Sequence, residues 1–161
     1  MQHPPPTVSP GADLLDRIVR LNRWVTRHTA WTVPLAQARV LSLIDEMKTA
    51  RIGDLARAEH CTQPTMTTQV QRLQAMDLVS RIPDPHDARA SLISLTAQGH
   101  QALAKIRRAR AGIVESLLDQ LDAADRAHLQ DARRVLSALL EAAYRQTDPG
   151  VRQAPDYPPI P

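Results

Sequence analysis

The sequence predicts a mainly α-helical chain with a small β-hairpin wing, in which a winged helix-turn-helix lies between helices of a dimerisation platform. A compact helix-turn-helix pattern runs from Arg51 to Leu78. Two short apolar strands follow it, joined by a Pro-rich turn that leads to Asp87 and Arg89, just ahead of a helix start. Two helices joined by a three-residue turn, with a hairpin directly behind them, are typical of a winged helix.

Composition limits the possible classes of protein before any motif is considered. The 161 residues are 43% hydrophobic, which is enough for one domain with a core. The formal charge of +3 permits an acidic partner such as DNA without requiring one. A single cysteine, Cys61, forms no intrachain disulfide and fits a reducing cytoplasm. No apolar run approaches the roughly 20 residues of a membrane span.

The N-terminal third predicts an arm and two helices. Residues 1–11 are Pro-rich, and we expect a flexible arm. Residues 12–31 form the expected dimerisation helix, capped near Ala12 or Asp13, with apolar residues at helical spacing at Leu14, Ile18, Leu21 and Val25. Pro34 is expected in the first turn of the next helix. The buried stripe predicted for that second helix is Val40, Leu43, Ile44 and Met47.

Residues 32–96 form the predicted winged helix-turn-helix. A helix over about 52–59 is followed by a turn and by Thr62, a good N-cap residue with Pro64 in the turn behind it. The helix that starts there runs to about Ala75 and buries Met66, Val70 and Leu73. Residues 78–82 and 91–95 read as paired strands, and residues 83–87 as the loop between them.

The C-terminal third predicts a long helix pair. Thr96 is expected to cap a helix through about Leu118, and Asp122 to cap the last one. Residues 97–145 should complete the dimerisation platform, because the terminal helices carry more apolar surface than a winged domain needs. Residues 146–161 contain several prolines and are expected to be an extended tail.

Taken in order along the chain, these motifs resemble the MarR family of transcriptional regulators from about Leu14 to Tyr144. The residues that carry the resemblance are Gln37 to Leu41, Ile52 to Ala56, Gln63 to Thr68 with Leu73, Leu78 to Arg81, Asp87 to Arg89, Leu95, Thr96 and Gly99. The resemblance implies a homodimer that binds pseudo-palindromic operators in duplex DNA, usually as a repressor. It also implies release from DNA when a small phenolic or lipophilic ligand, or an oxidant, binds.

The resemblance assigns site residues by position. The recognition helix corresponds to residues 62–75, with groove-facing candidates Gln63, Thr65, Thr67, Thr68 and Gln69, and with Arg72 placed for a phosphate. Gln pairs well with adenine, and Thr contacts a thymine methyl group. The wing candidates are Arg81, His86, Asp87 and Arg89, where the Asp87 carboxylate would hold the Arg89 side chain in one rotamer for a minor groove.

A ligand pocket is expected between the helical platform and the winged lobe. Its candidate wall residues are Arg20, Trp24, His28, Trp31 and Met47. For the two tryptophans, packing at the dimer or lobe boundary is the alternative to ligand contact. Cys61 is expected to be a small packed residue rather than a sensor, because reactive thiols need exposure and a lowered pKa.

No catalytic motif is found, so an enzyme is not expected. The sequence has no Gly-rich phosphate loop, nucleophile elbow or zinc-protease helix, and no cofactor is implied. Its six histidines show no close metal-ligand spacing, so no metal site is expected. Two alternatives to a sequence-specific regulator remain: a low-specificity architectural DNA-binding protein, and an interaction module that presents the Pro-rich tail.

Overall fold

The computed structural model describes residues 9–147, except for the side chains of residues 88, 89 and 147. Residues 1–8 and 148–161, which hold most of the predicted arm and tail, lie outside the described part. The described helices are α1 (Pro10–His28), α2 (Leu35–Met47), α3 (Ile52–Ala58), α4 (Gln63–Ala75), α5 (Ala97–Leu118) and α6 (Ala123–Thr147). The described strands are β1 (Thr49–Ala50), β2 (Val79–Asp84) and β3 (Asp87–Leu95). No helix among these residues is long and apolar enough to cross a membrane.

Helix α1 begins earlier than the sequence pattern predicted. Its N-cap is Ser9, whose Oγ accepts a hydrogen bond from the Ala12 backbone N–H at 3.2 Å. The cap prediction at Ala12 or Asp13 was therefore wrong, and Pro10 and Gly11 belong to the helix rather than to an arm. Proline is accepted at the first helical position because its missing N–H has no partner there in any case.

Helix α2 departs from its predicted pattern at both ends. Pro34 is the N-cap and precedes the first turn, while the helix buries Val40, Leu41 and Ile44. Met47, which was predicted to be buried, is 40% exposed. The stripe shifts because Met47 is the last residue of the helix, directly before Lys48, where the backbone turns to a positive φ of 64°.

The predicted helix-turn-helix is confirmed. Thr62 caps α4 by accepting a hydrogen bond from the Thr65 backbone N–H at 3.4 Å. Met66, Val70 and Leu73 are the buried residues of α4, as their spacing predicted. His60 adopts a left-handed backbone with a φ of 51°, which turns the chain sharply between α3 and α4.

The wing is the β2–β3 hairpin of a three-stranded antiparallel sheet with the order β1-β3-β2. The predicted loop over 83–87 is shorter in the structure, because pairing continues to Asp84 and resumes at Asp87. A register shift lies between Pro83 and Asp84, where the hairpin bends. Strand β1 was not predicted, since a two-residue strand shows no usable alternation.

The core packs α2, α3, α4, the sheet and the first half of α5 together. Its largest fully buried side chains include Leu41, Ile44, Leu55, Leu73, Ile93 and Leu103. Thr96 caps α5 as predicted, and Gly99 on the first turn of α5 lies directly against the Leu78 backbone. Cys61 is half-buried against this core, in agreement with its predicted packing role.

The two terminal helices leave their apolar faces uncovered. On α1 the exposed large apolar residues include Leu14, Leu15, Ile18 and Leu21. None of the described side chains of α6 is buried, and Leu139 is 53% exposed. Asp122 caps α6 as predicted, with its Oδ1 accepting from the Asp125 backbone N–H at 2.8 Å.

Candidate nucleic-acid interface

Helix α4 presents a polar face on the side opposite its buried stripe. With 3.6 residues per turn, the polar residues on the side opposite the buried stripe are Thr68, Gln71 and Arg72, with Thr65 at its margin. All four of these side chains are exposed. Gln71 was missed by sequence reasoning, although its spacing of three residues from Thr68 places it on the same face. The outward face therefore carries hydroxyl, amide and guanidinium groups.

Other predicted groove residues occupy the flanks of α4. Gln63 is exposed, whereas Thr67 is half-buried and donates from its hydroxyl to the Gln63 carbonyl oxygen at 2.8 Å. Gln69 is half-buried next to the apolar stripe, and its side-chain Oε1 is fully buried. The amide oxygen of Gln69 is thus turned away from the surface, contrary to the expected outward position.

Thr68 is prepared to accept a hydrogen bond rather than to donate one. Its hydroxyl donates to the Pro64 carbonyl oxygen at 3.1 Å, which fixes the direction of its only proton. The hydroxyl oxygen can still accept from a base amino group, and the methyl group can meet the methyl group of thymine. This arrangement suits the edge of an A·T pair.

The wing is attached to α4 through side chains at its base. Arg81 Nε on β2 donates to Gln74 Oε1 on α4 at 3.2 Å. Thr96 donates to the Asp77 carbonyl oxygen at 2.6 Å and accepts from the Gly99 backbone N–H at 2.9 Å. The end of α4, the end of β3 and the start of α5 therefore meet at Thr96.

The tip of the wing carries the remaining predicted residues. His86 is exposed in the turn, and Asp87 is half-buried at the start of β3. Arg89 lies in β3, but its side chain is outside the described part of the structure. The predicted support of Arg89 by Asp87 therefore stays a prediction.

A different carboxylate of the wing, that of Asp84, forms an ion pair with Arg51 at the start of α3. Arg51 Nε donates to Asp84 Oδ2 at 2.8 Å, and the His86 backbone N–H donates to Asp84 Oδ1 at 2.9 Å. The hydrogen bond from the His86 N–H, and after it the hydrogen bond from Arg51, hold the pKa of Asp84 below its ordinary value. Sequence reasoning missed this pair because its partners are 33 residues apart, and no local pattern connects them.

A cleft of about 690 Å³ lies between α1, α2 and α5. Arg110 Nη2 reaches Asn22 Oδ1 at 2.7 Å, Nη1 reaches Thr26 Oγ1 at 3.2 Å, and the guanidinium lies 5.7 Å from the centre of the Trp31 ring. The hydrogen bonds described for the Arg110 guanidinium thus go to uncharged oxygens.

Of the five predicted pocket residues, only Trp31 lines this cleft. Trp24 stacks on His28 with ring centres 4.1 Å apart, and Arg20 lies 3.6 Å from Asp16. Helical spacing places these residues on the other side of α1 from the lining residues Val19 and Arg23. Met47 is exposed at the end of α2.

Comparisons with known proteins identify a regulator family. The family model described as MarR family matches residues 33–91. An uncharacterised HTH-type transcriptional regulator of Mycobacterium bovis is 30% identical over 132 residues, which cover 81% of this chain and 92% of the relative. The crystal structure of a transcriptional regulator from Thermotoga maritima superposes with a TM-score of 0.65, at 25% identity, covering 82% of this chain and 97% of that one.

A further solved structure shares the fold and contains nucleic acid. It is a variant of MepR from S. aureus bound to an oligodeoxyribonucleotide, with a TM-score of 0.55 at 19% identity. The superposition covers 79% of this chain and 96% of that one.

Proposed function

The chain belongs to the MarR family of transcriptional regulators, and from this premise we propose that it is a homodimeric repressor of a pseudo-palindromic operator, released by a small ligand. The family regulates transcription, so the chain is not an enzyme. The observation that carries the proposal is the exposed polar face of α4 next to a wing that is hydrogen-bonded to α4. A duplex DNA partner is consistent with a cytoplasmic protein.

The polar face of α4 supports reading of base edges in a major groove. Thr68, Gln71 and Arg72 lie together on that face, and Arg81 of the wing is hydrogen-bonded to Gln74 of α4. A major groove admits an α-helix, and a narrow minor groove attracts basic side chains. The nucleic acid bound to the similarly folded MepR variant is consistent with this use of the fold.

The uncovered apolar faces of α1 and α6 support a homodimer. Isolated helices are marginal in water, and a helix normally gains its stability by burying an apolar face. Helix α6 has 25 residues and no buried side chain among those described, so another surface must cover it. A second copy of the chain supplies matching faces, and we expect the two α4 helices of such a dimer about 34 Å apart, one turn of DNA.

The cleft between α1, α2 and α5 supports control by a ligand. Trp31 and Arg110 offer an aromatic face and a cation, which suit a phenolic or lipophilic effector that carries partial negative charge. The cleft separates a helix of the proposed dimer platform from the DNA-binding lobe. A ligand that fits one relative position of these parts better than another shifts the population between them.

Selection of bound genomic fragments by the purified protein, at stated salt, tests the proposal. We expect a pseudo-palindromic site with half-sites one helical turn apart. Single mismatches should then cost about 1–3 kcal/mol each. Equal affinity for all mismatched sites would favour the architectural alternative.

The dimer and the effector have their own tests. Leu139→Glu should produce monomers in sedimentation analysis, while Gln130→Glu on the opposite side of α6 should not. A panel of phenolic compounds should displace operator from the wild-type protein, and Arg110→Met should need more compound for the same release. If both proteins release the operator at the same concentration of compound, the effector does not bind in the cleft.

A further inference from the structure

We propose that Arg51 and Asp84 form a brace that fixes the angle of the wing on the helix-turn-helix, and that Arg51 is a positioning residue rather than a phosphate contact. This inference rests on the proposed DNA binding for its functional readout. The brace is defined by the Arg51 guanidinium, the Asp84 carboxylate and the His86 backbone N–H.

Both oxygens of the Asp84 carboxylate are used inside the protein. Its side chain is only 3% exposed, although its neighbours in the hairpin, Pro83 and Pro85, are exposed. Oδ2 accepts from both Nε and Nη2 of Arg51, and Oδ1 accepts from the His86 backbone N–H. A buried carboxylate needs such partners, so the turn is held in the conformation that supplies them.

Arg51 is itself fixed at a junction of two elements. It directly follows β1, which pairs with β3, and it is the N-cap residue of α3. Its carbonyl oxygen accepts from the backbone N–H groups of Asp54 at 3.0 Å and Leu55 at 3.1 Å. The guanidinium therefore connects the start of the helix-turn-helix directly to the tip of the wing.

The brace acts where the hairpin is otherwise free to bend. The register shift between Pro83 and Asp84 interrupts the regular pairing just before the turn. A wing held in one orientation loses less conformational freedom when it binds DNA, which favours affinity. Without the brace, the wing samples several orientations, and only some of them fit a groove.

The charges around Arg51 argue against a direct phosphate contact. Its side chain is 46% exposed, so a phosphate could reach it. However, the carboxylates of Asp84, Asp87 and Asp54 all favour the charged guanidinium and raise its pKa. A guanidinium whose charge is already paired with a buried carboxylate presents little net positive potential to a polyanion.

Two substitutions at the same ion pair separate the two roles. If the pair is a brace, Arg51→Met and Asp84→Asn should each weaken operator binding by about tenfold. If Arg51 contacts a phosphate, Arg51→Met should weaken binding, whereas Asp84→Asn should leave it unchanged or strengthen it by removing a negative charge. The brace also predicts an unchanged slope of affinity against salt, while a lost phosphate contact lowers that slope by about 1.

Hydrogen exchange of the wing amides provides a readout that needs no DNA. Both variants should accelerate exchange at His86 and its neighbours, and Arg51→Lys should give an intermediate rate because it keeps one charge without the two-donor geometry. The matched control is the exposed pair of Arg134 and Asp131 on α6, where Arg134→Met and Asp131→Asn should alter neither measurement.

Unchanged exchange together with undiminished operator binding in Asp84→Asn would overturn the brace. A wild-type protein that binds no duplex would instead refute the proposed function, and the exchange rates would still decide whether the brace exists. Far-ultraviolet circular dichroism of each variant establishes that the helices are intact. If Asp84→Asn loses them, exchange in Arg51→Lys decides the question.

Discussion

Arg107 Nη2 on α5 lies 2.8 Å from Asp45 Oδ2 on α2, and this ion pair joins two residues that are 62 positions apart in the chain. The Asp45 side chain is only 12% exposed, and His100 Nδ1 lies 3.7 Å from its other oxygen. The pair borders the cleft, since Arg107 is also one of its lining residues. It therefore connects the DNA-binding lobe to the first helix of the C-terminal pair.

Replacing Arg107 by Met should destabilise the fold. The mostly buried Asp45 carboxylate would lose its guanidinium partner, which costs about 1–3 kcal/mol. Urea denaturation at fixed protein concentration measures this loss. The exposed Arg134–Asp131 pair is the control, and Arg134→Met should cost about 0–1 kcal/mol. Equal losses in the two variants would contradict a structural role for the Asp45 pair.

Two glycines of α5 should respond in opposite directions to alanine. A Cβ on Gly99 would overlap the Leu78 carbonyl oxygen, whereas a Cβ on Gly112 would meet nothing within 4 Å. We expect Gly99→Ala to lower the free energy of unfolding by about 1–3 kcal/mol. Gly112→Ala should raise it by about 0.5–1 kcal/mol, because alanine is the better helix former. Thermal denaturation of both variants checks the difference in sign.

Operator affinity should depend on Gln71 more than on Gln69. Gln71 lies on the outward face of α4, and Gln69 is half-buried with its Oε1 inside the protein. Gln71→Ala should weaken binding by about 1–3 kcal/mol if it reads a base edge. A competition assay with single-base operator variants measures this change. A larger loss in Gln69→Ala, with its thermal stability unchanged, would reverse this assignment.

Acid should loosen the wing through Asp84. The His86 backbone N–H and Arg51 hold the pKa of Asp84 below the usual value of about 3.9. Because the pKa of Asp84 is lowered by folding, its carboxylate stabilises the folded wing at pH values above its ordinary pKa. This stabilisation is lost as the pH falls through the lowered pKa. Amide exchange at His86, corrected for its intrinsic pH dependence, should therefore accelerate below about pH 4. Asp84→Asn should exchange fast at every pH, without that transition.

Local patterns predicted the parts of the fold that depend on neighbours in sequence. The Thr62 cap and the buried Met66, Val70 and Leu73 follow from capping chemistry and helical spacing, and the structure contains them. Strand β1 escaped prediction because two residues carry no periodicity. The prediction that Met47 is buried was wrong because spacing alone does not tell where a helix ends.

The parts of the candidate site that tertiary contacts define could not be predicted from the sequence. The Arg51–Asp84 pair joins residues that no local pattern relates. The cleft was expected near aromatic and basic residues, but Trp24 and His28 stack on each other on the other side of α1. Which face of a helix turns toward a neighbouring helix is set by tertiary packing, and local sequence patterns do not reveal it.

The uncovered stripe of α6 also ties the lifetime of the chain to its abundance. A helix without a buried face opens readily, and an opened segment is a substrate for proteases. Association protects such a segment in proportion to concentration, because a bound surface stabilises by mass action. Scarce copies of this regulator should therefore be degraded faster than abundant ones.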